Sequence, residues 1–405
     1  MKPVSHAPCG LPRRALLQAG LAMSLPGALQ RAVAAAPAAP GGRPRILVVL
    51  ELSGGNDGLN TLVPYGDDAY YRHRPRLGIR PEKLRRIDDH FGFNPGLAGF
   101  ERLYKDGKMA IVHGCGYAQP SFSHFTSMAY WHTGAPNAGE DSGWVGRLAD
   151  AMDPAATPGF LVNVDEVQSL AVRARRHLAL GFDDPRRFVR KGLHETRPLL
   201  DAAVPPAPED PPALRFMREV AVSARDSSQR VREAWARYKS PVDYGIVPLD
   251  LPKIAAMIDA GLPTRLYYTA YRHNAFDTHV QQAELHQRLL TYTADAIAGF
   301  QRDLERIGRA DEVMLLVFSE FGRRVPENTS LGTDHGTANQ MYLIGRGVRG
   351  GHHGQPPSLT ALDAGDNLIH TTDFRRVYAS VIEGWLGADA GAVLRGRFET
   401  LPLFA

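Results

Sequence analysis

Apolar positions along this chain fall into two kinds of run. The first is continuous: Arg45–Leu52 (RILVVLEL), Met109–His113, Gly159–Val164, Arg265–Ala270 (RLYYTA), Val313–Phe318 and Met341–Ile344. Short apolar runs of this kind, bounded by glycine or polar turns, predict strands buried on both faces, as in a parallel sheet. The second kind is periodic. Between Val280 and Ile307, the residues Leu285, Leu289, Tyr292, Ala296, Phe300, Leu304 and Ile307 recur every three or four positions and make one apolar stripe of a long helix. Thr278 and Gln281 stand where a capping box would open it. Leu97–Lys105, Ser121–His132 and Phe374–Leu386 read as further helices, and Tyr70–Leu97, with its scattered Arg and Pro, as loop. Strands alternating with helices predict an α/β fold, a three-layer α/β/α sandwich around a mostly parallel sheet.

The pattern changes over about 185–250. Pro205–Pro212 is a proline-rich connector and Ala213–Lys239 a charged amphipathic helix, which together read as a helical insertion. With no repeat or long low-complexity linker, residues 37–405 form a single domain in this reading.

The first 36 residues do not belong to that domain. Arg13-Arg14 precede a short apolar region, Ala15–Leu29, and small residues at Ala32–Ala36 follow, the order of parts in a twin-arginine export signal cleaved after Ala34 or Ala36. The apolar region is too short and too broken by Gly and Pro to span a bilayer. Export of this type carries already folded proteins, so the expected location is the periplasm or beyond, with the export machinery as one partner. Lys2, Arg13, Arg14 and Arg31 account for the whole formal charge of +4, so the mature chain is near neutral and offers no basic face for nucleic acid. Of the two cysteines only Cys115 stays in the mature chain, which excludes a disulfide framework.

Candidate chemistry sits directly after the predicted strands, where open α/β sheets place their sites. Asp57 lies in the glycine-rich turn Ser53–Asn60, which is both a place for a hard oxygen ligand and an ordinary Asn-Asp-Gly turn. Ser121-Phe122-Ser123-His124 opens a helix. Ser123 there is a candidate nucleophile in the field of the helix N-terminus, Ser121 a simple cap, and His124 a substrate contact or a packing residue. Asp277 and His279, two apart in an extended segment, point the same way and can reach one ion. Glu320 follows six apolar residues, a costly place for a carboxylate unless it is metal-bound or paired with Arg323 or Arg324; those arginines are alternatively clamps for substrate oxygens. Asp334-His335 lies between glycines. Such mixed Asp/Glu/His donors suit a divalent ion such as Zn²⁺, Mn²⁺ or Ca²⁺. His352 and His353 read as surface-loop residues.

Glu51–Pro64 (ELSGGNDGLNTLVP), Ser123-His124-Phe125, Gly143–Arg147 (GWVGR), Phe276–His279, Ser319–Arg323, Gly332–Gly336 and Thr372-Asp373-Phe374 resemble the domain-of-unknown-function 1501 family, in order and over nearly all of the mature chain. That family is grouped with the alkaline-phosphatase and sulfatase superfamily. The resemblance implies an alkaline-phosphatase-like fold and metal-assisted hydrolysis of phosphate or sulfate esters. On the same footing Asp57 matches the first-strand metal aspartate, Ser123 lies near the nucleophile, Asp277 and His279 match a later Asp/His pair, Glu320 a ligand carboxylate, and Asp334 and His335 the last ligands. Two departures stand out: Phe321 replaces a histidine ligand, and Cys115-Gly116-Tyr117-Ala118 lacks the Cys-x-Pro-x-Arg pattern of formylglycine sulfatases.

The expected function is therefore an exported, metal-dependent hydrolase of phosphate or sulfate esters. Asp57, Asp277, His279, Glu320, Asp334 and His335 are its metal-ligand candidates. Serine or a metal-activated water is the nucleophile, with Ser123, His124 and Arg323 at the reacting group. Its substrate is an anionic ester or polysaccharide. The alternative is a non-catalytic exported protein that binds a metal or a polysaccharide.

Overall fold

The computed structural model describes residues 42–187 and 203–404. The segment expected to be an export signal and part of the expected insertion, 188–202, lie outside the described residues. Among the described residues nine strands form one sheet. Across it the order is Gly351–His353, Met109–Gly116, Asn339–Ile344, Val313–Phe318, Ile46–Leu52, Leu266–Tyr271, Leu161–Val164 and Leu180–Phe182, with Thr372–Asp373 also pairing to Met109–Gly116. Every pairing is parallel except the two made by Asn339–Ile344. The central register sets Val49 beside Tyr268 on one flank and Leu316 on the other.

Alternation along the central strand divides the core in two. Ile46, Val48, Leu50 and Leu52 enter one buried cluster with residues of the helices Ala98–Lys105, Leu251–Asp259 and Gln282–Arg306. Leu47 and Val49 enter the other, with the helices His124–Thr133, Trp144–Met152 and Phe374–Ser380. Successive side chains point to opposite faces, so a strand apolar on both faces over Ile46–Leu50 implies helices on both sides. The α/β/α expectation holds.

Several local readings change. Tyr70–Leu97 is not plain loop: Asp68–His73 is helical, and Leu62–Val63, Arg85–Arg86 and Gly92–Phe93 form a small antiparallel sheet. Those strands are two residues long, too short for any periodicity to show. The long helix begins at Gln282, after Gln281 in left-handed backbone with no side-chain cap, so there is no capping box. Leu285 of its expected stripe is exposed, while Leu289, Ala296, Phe300 and Leu304 are buried. The insertion contains the helix Pro212–Arg237, which buries Val231 and Ala234. The last predicted helix turns into a π-helical segment, Val381–Trp385. His352 lies on the edge strand, not in a loop, with its ring stacked on that of His113 at 5.0 Å. Cys115 is buried and free. Among the described residues no helix is long and apolar enough to cross a membrane.

Candidate metal centre at the sheet edge

The parallel strands leave their carboxyl ends on one edge, and the antiparallel strand Asn339–Ile344 starts there. The turns following Leu52, Gly116, Tyr271 and Phe318, and the one preceding Asn339, therefore converge. The turn after Leu52 fits only because of its glycines. Gly54 has φ +115°, and a Cβ on it would lie 2.5 Å from the Asp277 nitrogen; one on Gly55, at φ +70°, would meet the Phe321 ring at 2.2 Å. Close backbone approach thus requires glycine at both. The Gly54 N–H donates to Glu320 Oε1 at 2.9 Å, and the Asn56 N–H to Ser319 Oγ at 2.9 Å.

Around Asp277 stand three histidines, each with its Nδ1 backed by an acceptor. His124 Nδ1 lies 2.8 Å from Oε1 of the fully buried Glu320. His335 Nδ1 lies 2.7 Å from the Phe122 carbonyl, and His279 Nδ1 lies 3.3 Å from Asp334 Oδ1. Carbonyl and carboxylate oxygens only accept, so each Nδ1 carries its proton and each Nε2 turns inward. Inward, His124 Nε2 is 3.3 Å from Asp277 Oδ2, His335 Nε2 is 3.1 Å and His279 Nε2 3.0 Å from Asp277 Oδ1. One donor atom each from His124, Asp277 and His335 lie within 4.8 Å of one another. Two features mark a place for a cation. His124 Nε2 is buried and makes no directed hydrogen bond, and the Nε2 atoms of His279 and His335 face each other at 3.0 Å. At that distance one ring nitrogen donates to the other, or a bound cation takes both lone pairs. Histidines with acceptor-fixed Nδ1 and a shared carboxylate are what a divalent ion uses.

The electrostatics differ from residue to residue. The hydrogen bond that His124 Nδ1 gives to Glu320 holds the His124 imidazole above its ordinary pKa, against burial, so a metal at Nε2 has to displace a proton. Burial pushes the Asp277 carboxyl up, but the Arg323 hydrogen bond and the neighbouring histidines outweigh it and hold it down at about 2. Burial pulls the His335 imidazole down, toward the neutral form that ligates.

The residues expected at this site take four different places. Asp277 and His335 lie in the cluster and His279 adjoins it. Glu320 and Asp334 stand behind histidines, where they orient rings and do not face the centre. His124, expected as a substrate contact, belongs to the cluster. Asp57 lies apart. Its Oδ2 accepts from Arg74 Nη1 at 2.7 Å and from Gln282 Nε2 at 2.5 Å, both pair members being fully buried, so an internal guanidinium already meets its charge. Arg323 is no clamp for substrate oxygens. Its side chain is fully buried, and it donates to the carbonyls of Gly55 at 2.6 Å, Thr333 at 2.9 Å and Phe276 at 3.1 Å, to the Gly54 carbonyl, and to Asp277 Oδ1 at 2.8 Å. It staples three turns and aims the aspartate. Ser123 is exposed at the N-cap of the His124–Thr133 helix, its hydroxyl making no cap bond. Phe321 is buried with its ring 5.0 Å from that of His124 and 4.7 Å from that of His335, an apolar wall where the family pattern has a ligand.

Arg74 gave no signal in the sequence, since an arginine in a presumed loop is the commonest of surface residues. Glu51 did give one: it interrupts an apolar strand, as costly a position as that of Glu320. It is buried with His132 and Tyr268.

Residues 265–379 match the DUF1501 family model, described as "Protein of unknown function (DUF1501)". The matched span holds Asp277, His279, Glu320, Arg323, Asp334 and His335, so most of this centre lies in the DUF1501 segment; His124 and Glu51 lie before it. No curated protein matches the chain. Among solved structures, a protein of the alkaline phosphatase superfamily from Vibrio parahaemolyticus is similar at 11% identity and TM-score 0.40, over 89% of this chain and 71% of that one. The C-terminal periplasmic domain of EcEptC from Escherichia coli, solved with Zn, is similar at 12% and 0.35, over 77% of each chain. Ps i-CgsB, in complex with a neocarrahexaose, is similar at 9% and 0.37, over 88% and 73%. At TM-scores below 0.5 these likenesses add nothing to the chemistry read from the side chains.

Proposed function

We propose that this protein is a metal-dependent hydrolase of phosphate or sulfate esters, with a divalent ion held by His124, Asp277 and His335 and His279 adjoining. The observation that carries this reading is the inward-facing Nε2 set around Asp277, each Nδ1 fixed from behind. When bound, the ion supplies Lewis acidity at an ester oxygen and lowers the pKa of a nucleophile. The chain's own residues do the rest. Arg323 fixes Asp277, Glu320 and Asp334 orient two of the rings, and Phe321 keeps water from the inner side of His124 and His335. Ser123, exposed and adjacent to His124 in sequence, is the nucleophile, or else positions a water that is. The export signal and a periplasmic or secreted location belong to the same proposal, as does an anionic polysaccharide ester as substrate.

The test is elemental analysis of the purified protein beside His335→Ala and Asp277→Asn variants, coupled to a screen of phosphate mono- and diesters and sulfate esters. Stoichiometric metal that both variants lose, with turnover that needs it, is the expected result. A second reading, metal binding without turnover, is favoured by the placement of Asp57 and Arg323, which takes both from the roles of second-ion ligand and oxyanion clamp. Metal without turnover of any ester would select it. A protein that takes up no divalent ion on reconstitution would refute both.

A further inference from the structure

The helix His124–Thr133 carries a second chemistry two turns beyond the first. Residues 124, 128 and 132 share one face at four-residue spacing. His124 serves the metal cluster, while Met128 and His132 line a separate recess of about 250 Å³ with Glu51, Ser169, Tyr268 and Ala270. His132 stands about 12 Å along the helix from His124.

Within the recess, the buried Glu51 Oε2 lies 2.6 Å from His132 Nε2 and accepts the Tyr268 hydroxyl proton. The tyrosine oxygen is 2.9 Å from the same nitrogen. Since the carboxylate only accepts and the tyrosine has spent its proton on it, His132 Nε2 carries a hydrogen and its Nδ1 is the free base. That Nδ1 lies 3.5 Å from Ser169 Oγ, and the partly exposed Ser169 is held in place by the Ala171 N–H, which donates to its Oγ at 3.1 Å. Serine, histidine and buried carboxylate in series, with the nucleophile at an open face, is the arrangement of an activated hydroxyl, and such contacts are looser before substrate binds.

We propose that Ser169, His132 and Glu51 form a second reactive centre, independent of the metal cluster, that acts on neutral carboxylic esters. The charge of the recess selects that class. Glu51, Asp165 and Glu166 line it beside the imidazoles of His132 and His273 and one guanidinium, Arg272, which is already paired to Asp165 at 2.9 Å and to Asp250 at 2.6 Å, so a sulfate or phosphate finds no unpaired arginine or lysine among the lining residues. Met128, Val167 and Ala270 give an apolar side for a short acyl group. In the reaction Ser169 Oγ bonds to the carbonyl carbon and its proton passes to His132 Nδ1. The ester C–O bond then breaks and the leaving alkoxide takes that proton. Water repeats the sequence to release the acid and restore the serine.

The test uses an alkyl fluorophosphonate on the full-length protein. Phosphorus bonds to Ser169 Oγ, fluoride leaves and the proton goes to His132. The expected outcome is one adduct, mapped by mass spectrometry to Ser169, absent in Ser169→Ala and retained in Asp277→Asn, whose failure in the metal assay is thereby a separate result. His132→Gln slows labelling about 100-fold or more. Should that variant misfold, Ser169→Ala still decides, since it leaves the buried Glu51–His132–Tyr268 contacts untouched. A wild-type protein without an adduct at Ser169, or an adduct formed as fast in folded His132→Gln, would overturn the proposal.

Discussion

Glu320 is the residue through which the metal centre is most open to measurement. Its Oε1 accepts both the Gly54 N–H at 2.9 Å and His124 Nδ1 at 2.8 Å, while Ser319 Oγ lies 3.1 Å from Oε2. Glu320→Gln keeps the shape. The amide oxygen can take the Gly54 and His124 hydrogens, and the amide nitrogen can donate to Ser319 Oγ, whose own proton goes to the Leu52 carbonyl at 2.7 Å. The fold is therefore retained and only the charge behind His124 is lost. Removing a carboxylate behind a ligating histidine costs about 10–100-fold in metal affinity, or about 1.4–2.8 kcal/mol. The assay is a zinc titration against a competing chelator, with circular dichroism to verify the fold. An affinity within threefold of wild type in a folded Glu320→Gln protein would refute the assignment of His124 as a ligand.

Other outcomes follow from the same geometry. Arg74→Met strands the Asp57 charge among buried groups and should cost about 3–5 kcal/mol in urea unfolding; adding Asp57→Asn should recover most of it, and an additive double variant would show that the two do not interact. The buried Asp57 carboxyl, pushed up by burial, is held below its ordinary value by Arg74, His286 and Gln282. Its contribution to stability is thus full above the unfolded value of 3.8 and is lost as pH falls through the lower folded value. Asp57→Asn should then flatten the acid limb of stability against pH, with an unchanged slope below pH 4 as the contrary result. Arg323→Lys cannot reach three turns with one ammonium and leaves buried carbonyls unpaired at about 1–3 kcal/mol each; denaturant melts should show a loss of at least about 3 kcal/mol, and chelator titration a parallel loss of metal. A lysine variant equal to wild type in both would remove the staple role.

The strands were legible because a strand buried on both faces needs a nearly continuous apolar run, and Arg45–Leu52, broken only by Glu51 near its end, and Val313–Phe318 supply one within a residue of the observed ends. The carboxyl edge was legible for the same reason: once strands are parallel, Asp277, His279, Glu320 and His335 must fall on one side of the sheet. What the sequence could not convey was which group faces which. Glu320 and Asp334 are carboxylates like Asp277, and only the folded turns decide that they point at ring nitrogens from behind. Nor does spacing reveal that Arg74 reaches Asp57, or that Arg323 spends its hydrogens on carbonyls from three separate turns, since these partners lie far apart in the chain. Residue type sets what each group can do, and local patterning sets the element it stands on. Whether a carboxylate ligates, orients or merely pairs depends on distances of about an ångström between segments remote in sequence, and those exist only once the core has packed.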